Sequence, residues 1–226
     1  MTGIFDSGVG GLAALWELRR LSPSEDIIFL ADVKNAPYGT RSPEEIVSFA
    51  TENIRRLMDL GADRVLIACC TASAFHKLLP NDERRISFPI IEPSARLAAR
   101  MTKNGKIAVI STALTASSGA FPSAITAESI DAEVIVTPAG ELVDIAERTV
   151  GGGELTPNDK KTVARLLQPA LDFGADTLVL GCTHFSHLEC EIKEFAKNVS
   201  TVDCAKVGAR VVASLCGEES GRTVFL

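Results

Sequence analysis

Gly61-Ala-Asp-Arg-Val-Leu-Ile-Ala-Cys69 and Gly174-Ala-Asp-Thr-Leu-Val-Leu-Gly-Cys182 are two versions of one phrase. Each opens on a Gly-Ala-Asp that stops a helix, runs through branched apolar residues and closes on a cysteine. The same offset of 113 residues separates 61 from 174 and 69 from 182, which marks an internal repeat. A short apolar run after a helix stop reads as a buried parallel strand, and α/β sheets present their ligand-binding groups at the carboxyl ends of such strands. The repeat therefore predicts two related βα units, each delivering one cysteine to a strand end. Two halves facing each other would set Cys69 and Cys182 across one cleft.

Working outward, further short β-rich runs alternate with longer amphipathic segments, the pattern of parallel strands joined by crossover helices. Strands are expected at Gly3–Phe5, Ile27–Ala31, Arg64–Ala68, Ile90–Ile91, Lys106–Ile110, Glu133–Val136, Thr177–Leu180 and Thr201–Val202. Ser42-Pro-Glu-Glu45 supplies an N-cap, a proline at the first helical position and a capping-box glutamate, predicting a helix to about Leu60 with Gly61 as its stop. Thr156-Pro-Asn-Asp159 starts a second one, apolar-periodic through Val163, Leu166, Leu167 and Leu171 to Gly174. Gly151–Gly153 reads as a hinge or loop. The expected fold is α/β in two domains, residues 1–94 with 204–226 and residues 95–203, each a central parallel sheet flanked by helices.

The bulk composition narrows the partners rather than the chemistry. The 226 residues are 46% hydrophobic and 23% charged, ordinary for a globular chain long enough for a sizeable core. A net charge of -6 leaves no basic footprint for nucleic acid or an anionic membrane, so the expected partner is a small molecule, with room for a homodimer. No stretch is apolar enough to span a bilayer and the first residues read as a strand, so the expected location is the cytoplasm. There, Cys69, Cys70, Cys182, Cys190, Cys204 and Cys216 read as free thiols.

Inverting an α-carbon requires a base on one face and an acid on the other, with roles exchanged by direction. Paired thiols suit that task, since a cysteine pKa of about 8.5 leaves both thiol and thiolate accessible near neutrality. The plainer use of a cysteine is packing. Asp6 precedes Ser7-Gly-Val-Gly-Gly11, a turn whose glycines allow close backbone approach; a simple helix cap is its other reading. That loop has neither dinucleotide nor P-loop spacing. His184, two residues past Cys182, can orient that thiol or favour its thiolate. His76 and His187 read as helix-surface residues, and Cys190, Cys204 and Cys216 receive no role. Two other uses stay open: Cys69, Cys70, Cys182 and His184 as zinc ligands, though without the usual knuckle spacing, and a cysteine hydrolase with Cys182 as nucleophile and His184 as base.

Together, Gly3-Ile-Phe-Asp-Ser-Gly-Val-Gly-Gly11, Pro37-Tyr-Gly39, Ala68-Cys-Cys-Thr-Ala-Ser-Ala74, Ile91-Glu-Pro93, Ile107-Ala-Val-Ile-Ser-Thr112 with Thr115 and Ser118, and Leu180-Gly-Cys-Thr-His184 resemble the glutamate racemases of the aspartate/glutamate racemase superfamily. The resemblance implies two α/β domains related by a pseudo-twofold, an active site in the cleft between them, and no pyridoxal phosphate, metal or other cofactor. By position it makes Cys69 and Cys182 the catalytic thiols and Asp6 and His184 their helpers. Ser7, Pro37, Tyr38, Gly39, Cys70, Thr71, Thr115 and Thr183 become the substrate shell. The product would be D-glutamate for peptidoglycan. Two positions depart from the family pattern. Cys70 stands where the family carries an asparagine, and the glutamate that supports the histidine is matched by Asp144, with Glu147 as the alternative. The chain is also shorter than the family pattern, mainly at the C-terminal end. Another small acid such as aspartate, or a paralogue that binds without turnover, are the competing expectations.

Overall fold

The computed structural model describes residues 1–217 and 220–226. Its strands are β1 (Thr2–Asp6), β2 (Ile27–Ala31), β3 (Arg64–Ile67), β4 (Ser87–Pro89), β5 (Lys106–Ser111), β6 (Glu133–Pro138), β7 (Thr177–Gly181), β8 (Ser200–Asp203) and β9 (Thr223–Phe225). Between them lie α1 (Leu12–Leu21), α2 (Pro43–Asp59), α3 (Cys70–Ala74), α4 (Asn81–Ile86), α5 (Ile91–Met101), α6 (Ala113–Ser117), α7 (Ala120–Glu128), α8 (Glu141–Val150), α9 (Pro157–Phe173), α10 (Glu189–Phe195) and α11 (Cys204–Ala213). The strands form two all-parallel sheets, ordered β4-β3-β1-β2-β9 and β6-β5-β7-β8.

The repeated phrase builds the same device twice. After α2, Gly61 takes φ +97° while its N–H reaches Met58 O and that of Ala62 reaches Leu57 O. After α9, Gly174 takes φ +76°, with Gly174 N–H to Leu171 O and Ala175 N–H to Ala170 O. Both are Schellman ends, which need a residue free to enter the left-handed region. The helices start alike too. Ser42 and Glu45 cap each other reciprocally, as do Thr156 and Asp159, with proline at the first position of each helix.

Register carries these devices to the site. Phe5 of β1 lies opposite Ile67 of β3, so Asp6 and Cys69 leave the same sheet edge side by side. Ser111 of β5 lies opposite Gly181 of β7, which places Thr112 beside Cys182.

Two elements differ from the sequence reading. The strand expected at Ile90–Ile91 is Ser87–Pro89 instead; Pro89 closes the ladder against Ile67, and Ile90 turns helical to start α5. Those isoleucines are apolar because a helix start is buried there, which a run of two cannot distinguish from a strand. The short β9, unread in the sequence, pairs with β2. Gly151–Gly153 forms the turn between α8 and α9, with Gly152 at φ +88°, a loop as the sequence reading had it.

One buried layer joins the sheets. Ile4 and Leu66 from the first, Ile107, Val109, Val179 and Val202 from the second, and residues of α1, α5 and α11 share a single apolar cluster. The outer faces are covered separately, by α2 on the first sheet and by α8, α9 and α10 on the second. α11 follows β8 of the second sheet yet packs on α1 and α5, and a Cβ on its Gly208 would stand 2.3 Å from Ile90 Cγ2. Gly208→Ala is therefore expected to lower unfolding stability by about 1–3 kcal/mol through overpacking, measured by urea denaturation. An unchanged midpoint would show that α11 can back away.

Candidate active site

A cavity of about 350 Å³ opens at the carboxyl edges of both sheets. Of the residues singled out in the sequence, Ser7, Pro37, Tyr38, Gly39, Cys69, Cys70, Thr71, Asp144, Glu147, Cys182, Thr183 and His184 line it. Asp6 and Thr115 lie behind its wall, fully or almost fully buried. The two cysteines come from opposite sheets, at the ends of β3 and β7, and are 5% and 7% exposed.

On the first side, the Cys69 thiol donates to Ser7 Oγ at 3.5 Å, and that hydroxyl donates to Asp6 Oδ1 at 3.5 Å. Thr183 Oγ1 from the other sheet donates to Asp6 Oδ2 at 3.0 Å, tying the halves together at the carboxylate. Burial pushes the Asp6 carboxyl up to about 7, against the pull of its hydrogen bonds from Thr183, Ser7 and Gly8. Burial, aided by the nearby Asp6 charge, raises Cys69 to about 11. The glycine turn serves steric access. A Cβ on Gly11 would sit 2.5 Å from Asp6 Cβ, and one on Gly10 would sit 2.7 Å from both His184 Nδ1 and Thr183 Oγ1.

On the second side, Cys182 Sγ lies 3.6 Å from His184 Nδ1, and His184 Nε2 lies 3.2 Å from Glu147 Oε1. A carboxylate only accepts, so Nε2 carries the proton and Nδ1 presents its lone pair to the thiol. Burial lowers the His184 pKa, which keeps the ring neutral and able to take that proton; the Glu147 charge opposes the shift. Burial raises the Cys182 thiol well above its usual range. The carboxylate bonded to the histidine is thus Glu147, the alternative of the sequence reading. Asp144, nearly one turn earlier on α8, lines the cavity and acts on the ring only through space.

Among the described residues no lysine or arginine lines the cavity. The lining offers hydroxyls, and α3, α6 and the short 3-10 turns at Tyr38–Thr40 and Thr183–Leu188 begin beside it. Thr71, Thr112 and Thr115 bond one another in a closed triangle of 3.1, 3.1 and 2.9 Å. Thr112 was not singled out in the sequence, nor was Asp32. The buried Asp32 carboxylate accepts from Tyr38 Oη at 2.6 Å, Asn53 Nδ2 at 2.9 Å and Asn35 Nδ2 at 3.0 Å, and so fixes the Pro37-Tyr38-Gly39 segment. Gly39 in turn abuts Thr112, whose Cβ would lie 2.9 Å from an added Cβ. The signal for both residues was available, since each directly follows a strand on a carboxyl edge.

The remaining sequence candidates also find places. Burial, with the neighbouring Cys204 thiol, holds the Cys70 thiol well above its usual range. His76 and His187 are half-buried rather than on the surface. His76 Nε2 meets Ser87 Oγ at 3.1 Å, and His187 packs edge-on to Trp16 with ring centroids 5.8 Å apart. Among the described residues no three His, Cys, Asp or Glu side chains are placed to share a metal ion, and no helix is long and apolar enough to cross a membrane.

Two parallel-sheet halves share one strand-end cavity lined by paired thiols, and comparison with known proteins gives the class. The chain belongs to the Asp/Glu/Hydantoin racemase family, whose model matches residues 13–212, and it is an amino-acid racemase. It is 39% identical over 210 residues to a glutamate racemase of Herpetosiphon aurantiacus, covering 92% of this chain and 81% of the relative. The fold superposes on the crystal structure of glutamate racemase isoform RacE1 from Bacillus anthracis with a TM-score of 0.89 at 29% identity, covering 100% of this chain and 87% of that one. It is also similar to the glutamate racemase of Francisella tularensis in complex with D-glutamate, with a TM-score of 0.83 at 28% identity, covering 95% and 80%.

The Asp6 environment makes a test independent of turnover. A folded-state carboxyl at about 7 against an unfolded value of 3.8 means that the native state holds the extra proton. Stability from this group is full below the unfolded value and is lost as pH rises through about 7. Asp6→Asn removes the titration, so from pH 4 to pH 8 the stability of the variant relative to the native protein should rise by on the order of 4 kcal/mol, one pKa unit being about 1.4 kcal/mol. Urea denaturation at both pH values measures it. A difference that does not vary with pH would mean Asp6 titrates as an ordinary carboxyl.

Proposed function

We propose that the protein is a glutamate racemase that interconverts L- and D-glutamate through two thiols and needs no cofactor. The observation that most supports this is the delivery of Cys69 and Cys182 to one cavity from opposite sheets, each with its own proton partner. Inversion at a carbon requires proton removal from one face and delivery to the other, and two separately served thiols meet that requirement in both directions.

In one direction, His184 Nδ1 takes the Cys182 proton and the resulting imidazolium is held by Glu147. The Cys182 thiolate removes the α-proton while the Cys69 thiol gives its own proton to the opposite face. Cys69 is then reprotonated through the Ser7 hydroxyl by Asp6, whose pKa of about 7 lets it act as acid or base near neutrality. In the other direction the roles exchange. The substrate ammonium, drawn into a cavity beside Asp6, Asp144 and Glu147, favours thiolate by its positive charge. Tyr38 and Gly39, in the segment held by Asp32, supply backbone N–H groups to the distal carboxylate, and Ser7, Thr71, Thr115 and Thr183 supply hydroxyls. Relatives that are glutamate racemases, and one solved with D-glutamate, support glutamate as the substrate. The product would serve peptidoglycan synthesis in the cytoplasm.

The purified protein is expected to invert L-glutamate without added cofactor and to place solvent deuterium at Cα, read by polarimetry and NMR in D₂O. L-Aspartate run in parallel tests the competing substrate. Failure of exchange and inversion with both sinks the racemase reading in favour of a binding protein. Cys69→Ser and Cys182→Ser should each reduce racemisation to background, and near-normal turnover in either removes the two-thiol assignment.

A second set of variants asks which carboxylate serves the histidine. Glu147→Gln should lower kcat by about tenfold or more, because the amide can still accept from Nε2 but no longer carries the negative charge that holds the imidazolium, while Asp144→Asn costs less. The reverse order would reassign the supporting role to Asp144.

A further inference from the structure

The three glycines at 151–153 take no part in the proton transfers just described, yet they adjoin the carboxylate that serves His184. Glu147 is half exposed, and among the described residues its carboxylate bonds only the ring it serves, so its own packing does not fix it. Its place is set by α8, which buries Leu142, Ile145 and Ala146 in the second sheet's outer cluster. The helix ends on the glycines. Gly151 N–H reaches Glu147 O at 3.0 Å, Gly152 N–H reaches Thr149 O at 3.0 Å and Gly153 N–H reaches Arg148 O at 2.9 Å, a third Schellman end with Gly152 left-handed. Gly153 also lies against the stem of Arg148, where an added Cβ would stand 2.8 Å from both Arg148 Cγ and Arg148 O. Past that stem, the Arg148 guanidinium bonds Asp159 Oδ2 on α9. The same oxygen accepts Thr156 N–H and Thr156 Oγ1, each at 2.7 Å, within the capping box that opens α9, and Asp159 is buried. The other ion pair between α8 and α9 joins Glu141 to Arg165, side chains 61% and 58% exposed, and holds little.

We infer that Gly153, Arg148 and Asp159 are positioning residues, which lock the last turn of α8 to the first turn of α9 and so hold Glu147 on His184 Nε2. Their effect on turnover rests on the proposed role of Glu147 in the proton transfers. Glu147 and Arg148 are consecutive, so they leave one helical turn about 100° apart, the carboxylate toward the histidine and the guanidinium toward α9. A slide or roll of that turn by about 1 Å would carry Glu147 Oε1 out of hydrogen-bond range of the ring. The apolar face of α8 resists such movement weakly, because apolar contact has no preferred direction. A charge-assisted bond to an oxygen already fixed by two other donors does have one. Neither Arg148 nor Asp159 lines the cavity, so both act through Glu147 alone.

Arg148→Met removes the guanidinium and keeps most of the stem, and two readouts separate positioning from plain stability. The first needs no turnover. The chain has 3 histidines, so the imidazole ¹⁵N signals of His184 can be assigned, and in Arg148→Met they should move most of the way to their place in Glu147→Gln. The second is a kinetic cycle with glutamate: Arg148→Met should lower kcat about tenfold with KM little changed, yet cost nothing further in a Glu147→Gln background. Arg148→Lys should recover most of kcat, Gly153→Ala should repeat the loss, and Arg165→Met should leave both readouts at native values. Native ¹⁵N signals in Arg148→Met overturn the inference. So does an equal loss of kcat with and without the Glu147 carboxylate, which marks general destabilisation, or an equal ¹⁵N shift in Arg165→Met. If Glu147→Gln itself turns over normally, the proposed role of Glu147 fails, while the ¹⁵N signals still decide whether Arg148 positions it.

Discussion

Burial of one apolar layer against both sheets is the constraint from which the rest follows. Apolar burial contributes roughly 25 cal/mol per Å² but has no direction, so it can fuse two sheets without setting their angle. The angle is set by close contacts such as Gly208 on Ile90, which admit no side chain between α11 and the first sheet. Because all strands within each sheet run parallel, fixing that angle also fixes where both carboxyl edges point. Asp6 and Thr183, one from each edge, then meet at 3.0 Å, and the cavity lies beside them.

The same burial tunes the titrating groups. Desolvation disfavours charge of either sign, so it raises Asp6 toward neutrality, lowers His184 and holds both lining thiols protonated. Asp6, at about 7, thus serves Cys69 as donor or acceptor, the neutral His184 ring faces Cys182, and both thiols have their proton at rest. The absence of lysine and arginine from the lining, among the described residues, fits this arrangement. A fixed cation there would compete with the substrate ammonium for control of the thiols, whereas N–H groups and hydroxyls can accept a carboxylate without imposing a full positive charge.

Much of the fold was legible because it is written in local terms. The Schellman ends at Gly61 and Gly174, the capping boxes at Ser42 and Thr156 and the apolar runs between them depend on neighbours within a few residues. Ile90 and β9 were misread or missed because two or three apolar residues carry no period, and only their partners decide between helix start and edge strand. Asp32 was passed over, and Thr112, though part of a quoted motif, received no role, for a related reason: an aspartate or a threonine after a strand is common turn chemistry until a buried phenol or a ring of hydroxyls closes on it.

By itself, then, the sequence determined an α/β chain with a duplicated strand that ends on Cys69 and again on Cys182, along with the glycine turn and the histidine beside them. Tertiary structure decided what each of these faces. Glu147 rather than Asp144 bonds His184 because the approach of α8 sets which carboxylate reaches Nε2, and α11 packs on α1 and α5 although it follows the second sheet's last strand. Spacing along the chain fixes which residues share an element. Contacts between elements far apart in sequence depend on how those elements pack, and that is settled only when the shared core closes.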